Sequence, residues 1–218
     1  HGFAARVSVL IVNTNLVSPD EMPTSIHNLV HPQWQGKVAI AKPLAGTTAT
    51  HAACLFAAWG DEEARDFFSR LKRNAKVLSG NKQVAQAVAR GEFAFGLTDT
   101  DDAFIEKQIN GQPVEIVFPD QGDDQMGALF IPNTLAIIKD GPNSAAAREL
   151  VDFLLQAKTE EQLAAADSAQ FPLHAEAGAT SPAAPATPLK KMDVDFQQAL
   201  EKWDAAMQAM TELFATAD

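Results

Sequence analysis

Tyrosine is absent from the 218-residue sequence, and cysteine occurs only once, at position 54. A single cysteine excludes an internal disulfide and a cysteine-based zinc site, and it leaves the redox compartment undetermined. Without tyrosine, the chain cannot offer a phenolate ligand to a metal ion. Basic residues are also few, at 17 against 28 acidic ones, which gives a formal net charge of -11. This balance argues against nucleic-acid binding, because phosphate contacts require clustered Lys and Arg.

Long apolar runs are missing as well. The best candidate, residues 7–12, has the size of a strand and falls well short of the ~20 residues of a membrane-spanning helix. The N-terminus lacks the basic stretch followed by an apolar one that marks a secretory signal. Because a buried-looking strand follows His1 almost at once, we expect the start to be a truncation point or a processing site.

The composition is otherwise that of a globular protein, with 46% hydrophobic and 21% charged residues. This excludes disorder along the whole chain and suits one large domain or two small ones. Strand-length apolar runs alternate with segments of helical period, which predicts an α/β protein with a mainly parallel sheet. The predicted strands are residues 7–12, 37–41, 93–98, 114–118 and 134–138, and the predicted helices include 51–59, 99–109, 145–156 and 159–166, a helix opened by Asp61, and a short helix capped by Asn81.

The last quarter of the chain differs in composition. Residues 175–188 are rich in Ala, Gly, Ser, Thr and Pro, which predicts an extended linker. Apolar residues beyond it recur at helical spacing and predict one long amphipathic helix. Its polar face carries Glu201, Asp204 and Glu212, whereas membrane-surface helices favour Lys and Arg there. Packing on the protein's own core is therefore favoured over a membrane or partner surface.

Two polar segments are candidate binding elements. Gly46, Thr47 and Thr48 lie between a predicted strand and a helix, where backbone N–H groups and hydroxyls suit an anion. No Gly-Lys-Ser/Thr ending follows, so a nucleotide-binding P-loop is excluded. The alternative for this turn is an ordinary capped helix.

The second segment, residues 98–102, places three carboxylates directly after a strand that should be central. Ligands of open α/β sheets bind at the carboxyl ends of strands, and close carboxylates raise at least one pKa unless a cation compensates. The alternative is structural: Asp99 or Thr100 caps a helix, with Asp101 and Asp102 in its first turn.

Evidence for catalysis is thin. Cys54 lies among apolar residues in a predicted helix and is expected to be an inert buried thiol. His51 could face the turn at Gly46, although a capping or core role is favoured. No Ser-His-Asp order, nucleophile elbow or His-Glu-x-x-His motif is present. The remaining enzymatic alternative is an α/β hydrolase or transferase that uses Asp101 or Asp102 as general base.

The sequence resembles the ferric-ion-binding group of bacterial extracellular solute-binding proteins, which serve ABC importers. The strongest marker is Pro-x-Trp-x-Gly-Lys at residues 32–37. The likeness covers nearly the whole chain in order, through residues 6–14, 31–38, 46–48, 81–84, 89–92, 96–99, 131–134 and 171–173. It implies a binding protein rather than an enzyme.

The resemblance implies a two-lobe periplasmic-binding-protein-like fold of type 2. Residues 1–12 would cross from the first lobe, 13–125 would form the second lobe, and 126–174 would return to the first. Residues 175–190 would be the linker, and 191–218 a helix packing on the second lobe. Family members carry a further N-terminal part of the first lobe. We therefore expect uncovered apolar surface at residues 129–138 and 150–155, with self-association or a retained N-terminal fragment.

The resemblance also implies a site. The family's anion-binding turn matches Gly46, Thr47 and Thr48, its neighbouring polar contacts match Asn81 and Asp99, and a basic residue near the cleft matches Arg6. Two adjacent tyrosines that bind iron in the family line up with Asp101 and Asp102. These aspartates are the candidate metal ligands. The resemblance therefore implies that the anion-binding part of the site is retained, while the metal ligands have changed from tyrosine to aspartate.

The implied function is the solute-binding component of an ABC-type importer, in the periplasm or outside the cell. Its partners would be a small solute and the membrane permease. The solute would be a metal ion held with an anion, or a phosphonate- or polyamine-like zwitterion. No cofactor follows from the residues alone; the resemblance adds a metal ion such as Fe³⁺.

Overall fold

The computed structural model describes residues 1–215 of the chain. Six strands form one mixed sheet: β1 (Gly2–Asn13), β2 (Val38–Ala41), β3 (Ala75–Leu78), β4 (Phe95–Asp99), β5 (Val114–Val117) and β6 (Phe130–Thr134). The α-helices are α1 (Gly46–Trp59), α2 (Asp61–Asn74), α3 (Asn81–Ala89), α4 (Thr100–Phe104), α5 (Ser144–Leu154), α6 (Ala157–Ala165), α7 (Phe196–Glu201) and α8 (Trp203–Phe214). Within residues 1–215, no helix has the length and apolar character to cross a membrane.

The strand order is β3-β2-β4-β1-β5, with β6 paired to the other end of β1. Strand β2 runs parallel to β3 and β4, as the βαβ units predict. Strand β1 is antiparallel to β4, β5 and β6, so the prediction of a mainly parallel sheet is wrong. The difference arises because β1 precedes the βαβ units, and no crossover helix dictates the direction in which it pairs. The position of β4 inside the sheet is as predicted.

Strand β1 holds the two halves of the molecule together. Its first residues, from Gly2 to Val7, pair with β6, and the residues from Ser8 to Asn13 pair with β4 and β5. Val9 and Ile11 pack with α3 and α4, whereas Leu10 and Val12 pack on the opposite face with α1, α2 and α8. This alternation confirms the prediction of a strand buried on both faces. Each such side chain contributes about 1.5–3 kcal/mol of burial energy.

The strand predicted at residues 134–138 is placed differently in the structure. Strand β6 ends at Thr134, which pairs with Gly2. The next residue, Leu135, still exchanges backbone hydrogen bonds with His1. Residues 136–138 belong to no strand, and Ile138 is 82% exposed. Periodicity in the sequence does not show at which residue the pairing with β1 ends.

The expected uncovered apolar surface is found only in part. Leu129 and Ile131 are buried, so the expectation is wrong for the first half of residues 129–138. Ile138, Leu150 and Phe153 are exposed, and helix α5 has no buried residue. Self-association or a retained N-terminal fragment stays a prediction.

The C-terminal segment forms two helices instead of the one predicted. The break falls at Lys202, which donates a hydrogen bond of 2.8 Å to Asp61 at the start of α2. Helix α7 packs against α1, and α8 packs against both α1 and α2. Met210 and Phe214 are buried there, which confirms packing on the protein's own core. Residues 175–190 contain no helix or strand, as predicted.

Gly96, in the middle of β4, allows helix α3 to lie close to the sheet. A Cβ atom at this position would come within 2.6 Å of Val84 Cγ1 on α3 and within 2.7 Å of the Ala39 carbonyl oxygen on β2. Neither neighbour can move without shifting a helix or a strand. Glycine is thus required by close packing at this point, and that packing fixes the position at which α3 begins.

We expect Gly96→Ala to lower the free energy of unfolding by about 3 kcal/mol, the upper range for overpacking a core. Gly111→Ala is the control: nothing lies within 4 Å of a Cβ there, and only the positive φ of 61° opposes the change, at about 1 kcal/mol. Urea unfolding of both variants measures the difference. An equal or smaller loss for Gly96→Ala contradicts the packing argument.

His51 lies in the core, one turn after Thr48 on α1. Its ring is 5% exposed, and its Nδ1 atom has no hydrogen-bond partner. It borders an apolar cavity of about 10 Å³ that Leu55 and Phe68 also line, which is the lower limit for one water molecule. Burial lowers the pKa of His51 to about 4. The core role favoured from the sequence is therefore the observed one.

We expect His51→Leu to make the protein less sensitive to acid. Between pH 4 and 6.5 the unfolded histidine binds a proton while the folded one does not, so stability is lost as the pH falls through this range. Leucine does not titrate. The free energy of unfolding of the variant, minus that of the wild type, should be about 2 kcal/mol larger at pH 5 than at pH 8. Urea unfolding at the two pH values measures it, and an unchanged difference refutes it.

Candidate functional site

Helices α1 and α3 both begin at the carboxyl edge of the parallel strands, and neither has a side-chain cap. The N-cap residue of α1 is Ala45 and that of α3 is Gly80. The prediction that Asn81 caps α3 is wrong, because Asn81 is the first helical residue and its side chain turns towards neighbouring elements. The alternative of an ordinary capped helix at Gly46 also fails. Each helix start therefore directs backbone N–H groups at the same edge of the sheet.

A hydrogen-bonded group of four side chains joins these helix starts to the end of β4. Asp99 Oδ2 accepts from Thr47 Oγ1 at 2.6 Å and from Asn81 Nδ2 at 2.8 Å. Asn81 Nδ2 also donates to Thr47 Oγ1 at 2.8 Å, and its Oδ1 accepts from Thr48 Oγ1 at 3.2 Å. Four residues singled out from the sequence thus lie in direct contact, beside Gly46 at the start of α1. We name Thr47, Thr48, Asn81 and Asp99 the Asp99 network.

Asp99 occupies the N-cap position of α4, but its side chain makes no capping bond. The capping role predicted for Asp99 is therefore wrong. Asp99 is 3% exposed, and burial raises its pKa to about 6, helped by repulsion from Asp101 and opposed by the hydrogen bonds and by Arg6. The direction agrees with the prediction, but the main cause is burial and not the repulsion between acids on which the prediction was based.

Asp101 and Asp102 follow in the first turn of α4. Arg6 Nη2 lies 3.6 Å from Asp101 Oδ2, while Asp101 Oδ1 is buried with no hydrogen-bond partner. Burial raises the pKa of Asp102 to about 6, with repulsion from Asp101 and Asp99 acting in the same direction; Arg6 and Lys82 oppose the rise. The acids predicted to repel one another therefore do so, with one arginine in contact.

Two residues that take part in the contacts around Arg6, Asn133 and Gln170, were not anticipated from the sequence. Asn133 on β6 accepts a hydrogen bond from Arg6 at 3.3 Å and donates one to the side chain of Gln170. The Nη2 atom of Arg6 thus contacts both Asn133 and Asp101. Asn133 lies in one of the segments that carry the family resemblance. Its role becomes visible only through its hydrogen bond with Arg6 on the neighbouring strand β1. Among residues 1–215, no group of three or more His, Cys, Asp or Glu side chains is arranged to hold a metal ion.

Residues 1–199 match the family model described as bacterial extracellular solute-binding protein. A similar curated protein is the major ferric iron-binding protein of Neisseria meningitidis serogroup A. It is 25% identical over 202 residues, which cover 91% of this chain and 60% of that protein. The chain thus spans about three fifths of the length of this relative.

Solved structures agree in fold. The apo ferric ion-binding protein A of Pasteurella haemolytica superposes with a TM-score of 0.85 at 19% identity, over 100% of this chain and 69% of that one. AfuA of Actinobacillus pleuropneumoniae, solved with exogenous fructose-6-phosphate bound, gives a TM-score of 0.82 at 25% identity, over 99% and 68%. The prediction of an α/β, type 2 periplasmic-binding-protein fold is confirmed.

The family and the similar proteins are binding proteins, so the hydrolase or transferase alternative is not supported. The proposed lobe boundaries and the roles of the site residues stay predictions. The match over residues 1–199 and the agreement in fold establish one point plainly: the chain belongs to the bacterial extracellular solute-binding proteins.

Proposed function

We propose that this protein is the solute-binding component of an ABC-type importer and that it holds a small polar solute through a cationic group at Asp99, Asp101 and Asp102. The observation that carries the proposal is the buried Asp101 Oδ1 atom, which has no donor in a cluster of three acids. A buried acceptor without a partner costs about 1–3 kcal/mol. A cationic ligand would remove that cost.

The charge balance at the cluster supports a cation. Asp99, Asp101 and Asp102 carry three negative charges when ionised, and Arg6 is the cation in contact with them. Burial raises the pKa values of Asp99 and Asp102 although Arg6 opposes the rise at both, so the protein compensates their ionised forms only in part. An opposite charge within about 4–6 Å favours the ionised forms. A bound cation would supply that charge.

Two kinds of cation are candidates for this site. An ammonium group, as in a polyamine or an aminoalkyl phosphonate, offers three N–H donors to the carboxylates. A metal ion such as Fe³⁺ with an anion is the second candidate, supported by the names of the similar proteins, which bind ferric iron. Carboxylate oxygens are hard ligands that suit such an ion. Since residues 1–215 show no preformed group of three metal-ligating side chains, a metal ion would take further ligands from the anion bound with it. Location in the periplasm or outside the cell, and delivery to a membrane permease, accord with the family.

Binding by the wild-type protein separates the two candidates. The probes are putrescine, 2-aminoethylphosphonate and ferric citrate, each followed by calorimetry at pH 8, with metal analysis and visible absorbance after desalting for iron. Saturable binding of an amine probe supports the ammonium candidate. Stoichiometric iron without an intense visible band supports the metal candidate, since the chain has no phenolate. Absence of binding to every probe counts against the proposal.

We expect Asp101→Asn and Asp102→Asn each to weaken the bound probe about 10- to 100-fold. This is the effect of losing one charge-assisted hydrogen bond, about 1.5–3 kcal/mol. Asp66→Asn on α2 is the matched control, since it removes the same charge from a largely exposed side chain outside the cluster. Calorimetry on the three variants measures the change. Equal affinities in the cluster variants and the control refute the assignment of the site.

A further inference from the structure

We propose that Asp99 is a specificity-determining residue: its carboxylate takes the place of a bound anion between α1 and α3, so that the cleft rejects free oxyanions such as sulfate. The inference rests on the proposed function, which assigns solute binding to this cleft. It differs from the expectation drawn from the family resemblance, in which the Gly46–Thr48 turn retains an anion site.

Two side-chain donors suited to an anion are already engaged by the chain itself. A threonine hydroxyl has one proton to donate, and that of Thr47 is directed at Asp99 Oδ2, 2.6 Å away. Asn81 Nδ2 donates to the same oxygen at 2.8 Å. Helix starts without side-chain caps normally attract phosphate or sulfate. Here the anion beside them is a side chain, held in place by β4.

Electrostatic repulsion also disfavours a second anion at the start of α1. A free oxyanion at the start of α1 would lie beside Asp99, which is only 3% exposed. It would also lie near Asp101 and Asp102 on α4. Repulsion is stronger at a buried site than in water because the effective dielectric constant is lower. The cations facing the cluster are Arg6 on β1 and Lys82 on α3, and Arg6 is held by Asp101 and Asn133.

Asp99→Asn tests this directly because it removes the charge and keeps the shape. The amide Oδ1 can accept the same hydrogen bonds from Thr47 and Asn81, and the amide Nδ2 adds a donor. Asp102→Asn is the matched control. It removes one charge from the same cluster, and in the structure Asp102 has no contact with the hydroxyl of Thr47 or the amide of Asn81.

Sulfate is the probe, since its charge does not change between pH 5 and 8. By calorimetry at pH 8, we expect Asp99→Asn to bind sulfate at least about tenfold more tightly than the wild type does, which corresponds to about 1.4 kcal/mol. Asp102→Asn should gain clearly less. An equal gain in both variants would mean that only the net charge of the cluster matters, and no gain in Asp99→Asn would mean that Asp99 does not block the position. Either result overturns the proposal.

The wild-type protein provides a second measurement that needs no variant to fold. At pH 8, calorimetry should show no saturable binding of sulfate, because the carboxylate of Asp99 already accepts the hydrogen bonds of Thr47 and Asn81. Saturable sulfate binding by the wild type also overturns the proposal.

Failure of the inference and failure of the proposed function give different results. If the wild type binds a cationic probe and Asp99→Asn gains no sulfate affinity, the inference alone is wrong. If no cationic probe binds and Asp99→Asn still gains sulfate affinity, the proposed solute class is wrong and the role of Asp99 stands. Far-ultraviolet circular dichroism of each variant verifies that the fold is kept.

Discussion

The arrangement of the candidate site depends on one buried carboxylate and the two donors bonded to it. Asp99 joins the end of β4 to the first turns of α1 and α3 through Thr47 and Asn81. Hydrogen bonds to a charged group contribute about 1.5–3 kcal/mol each, yet the pKa of Asp99 is still raised to about 6. Desolvation therefore outweighs the stabilisation from its partners. The protein keeps a charge where a neutral side chain would be more stable, as functional sites often do.

The scaffold places that carboxylate through close packing rather than through loops. Gly96 brings α3 within van der Waals distance of the sheet, and α3 in turn carries Asn81 to Asp99. Strand β1 pairs with β4 at Asp99, where Ser8 is the partner residue, and two residues earlier it carries Arg6. The same arginine contacts both Asp101 on α4 and Asn133 on β6. The acid cluster is thus fixed to both sections of the sheet that β1 connects.

Much of this could be predicted from the sequence because strands alternate with helices and polar groups follow strand ends. That alternation placed Gly46–Thr48 and residues 98–102 at one edge of the sheet, where the structure has them. The sequence pattern cannot predict the direction of β1 or the residue at which β6 ends, because strand pairing depends on a distant segment. It cannot predict the contacts of Asp99 either. Spacing identifies a helix start, but it does not show whether Thr47 donates to its own helix, to a ligand or to a carboxylate from another strand.

The raised pKa values connect specificity with stability. Above pH 6 both Asp99 and Asp102 are ionised in the folded protein, and each then disfavours the folded state relative to the unfolded chain, whose carboxylates are solvated. A cation at the cluster would offset this cost, so binding would stabilise the fold in proportion to its affinity. A free anion would increase the same cost. Under the proposed function, one set of buried charges would favour cationic solutes and disfavour anionic ones, without any need for a contact that recognises the excluded ligand.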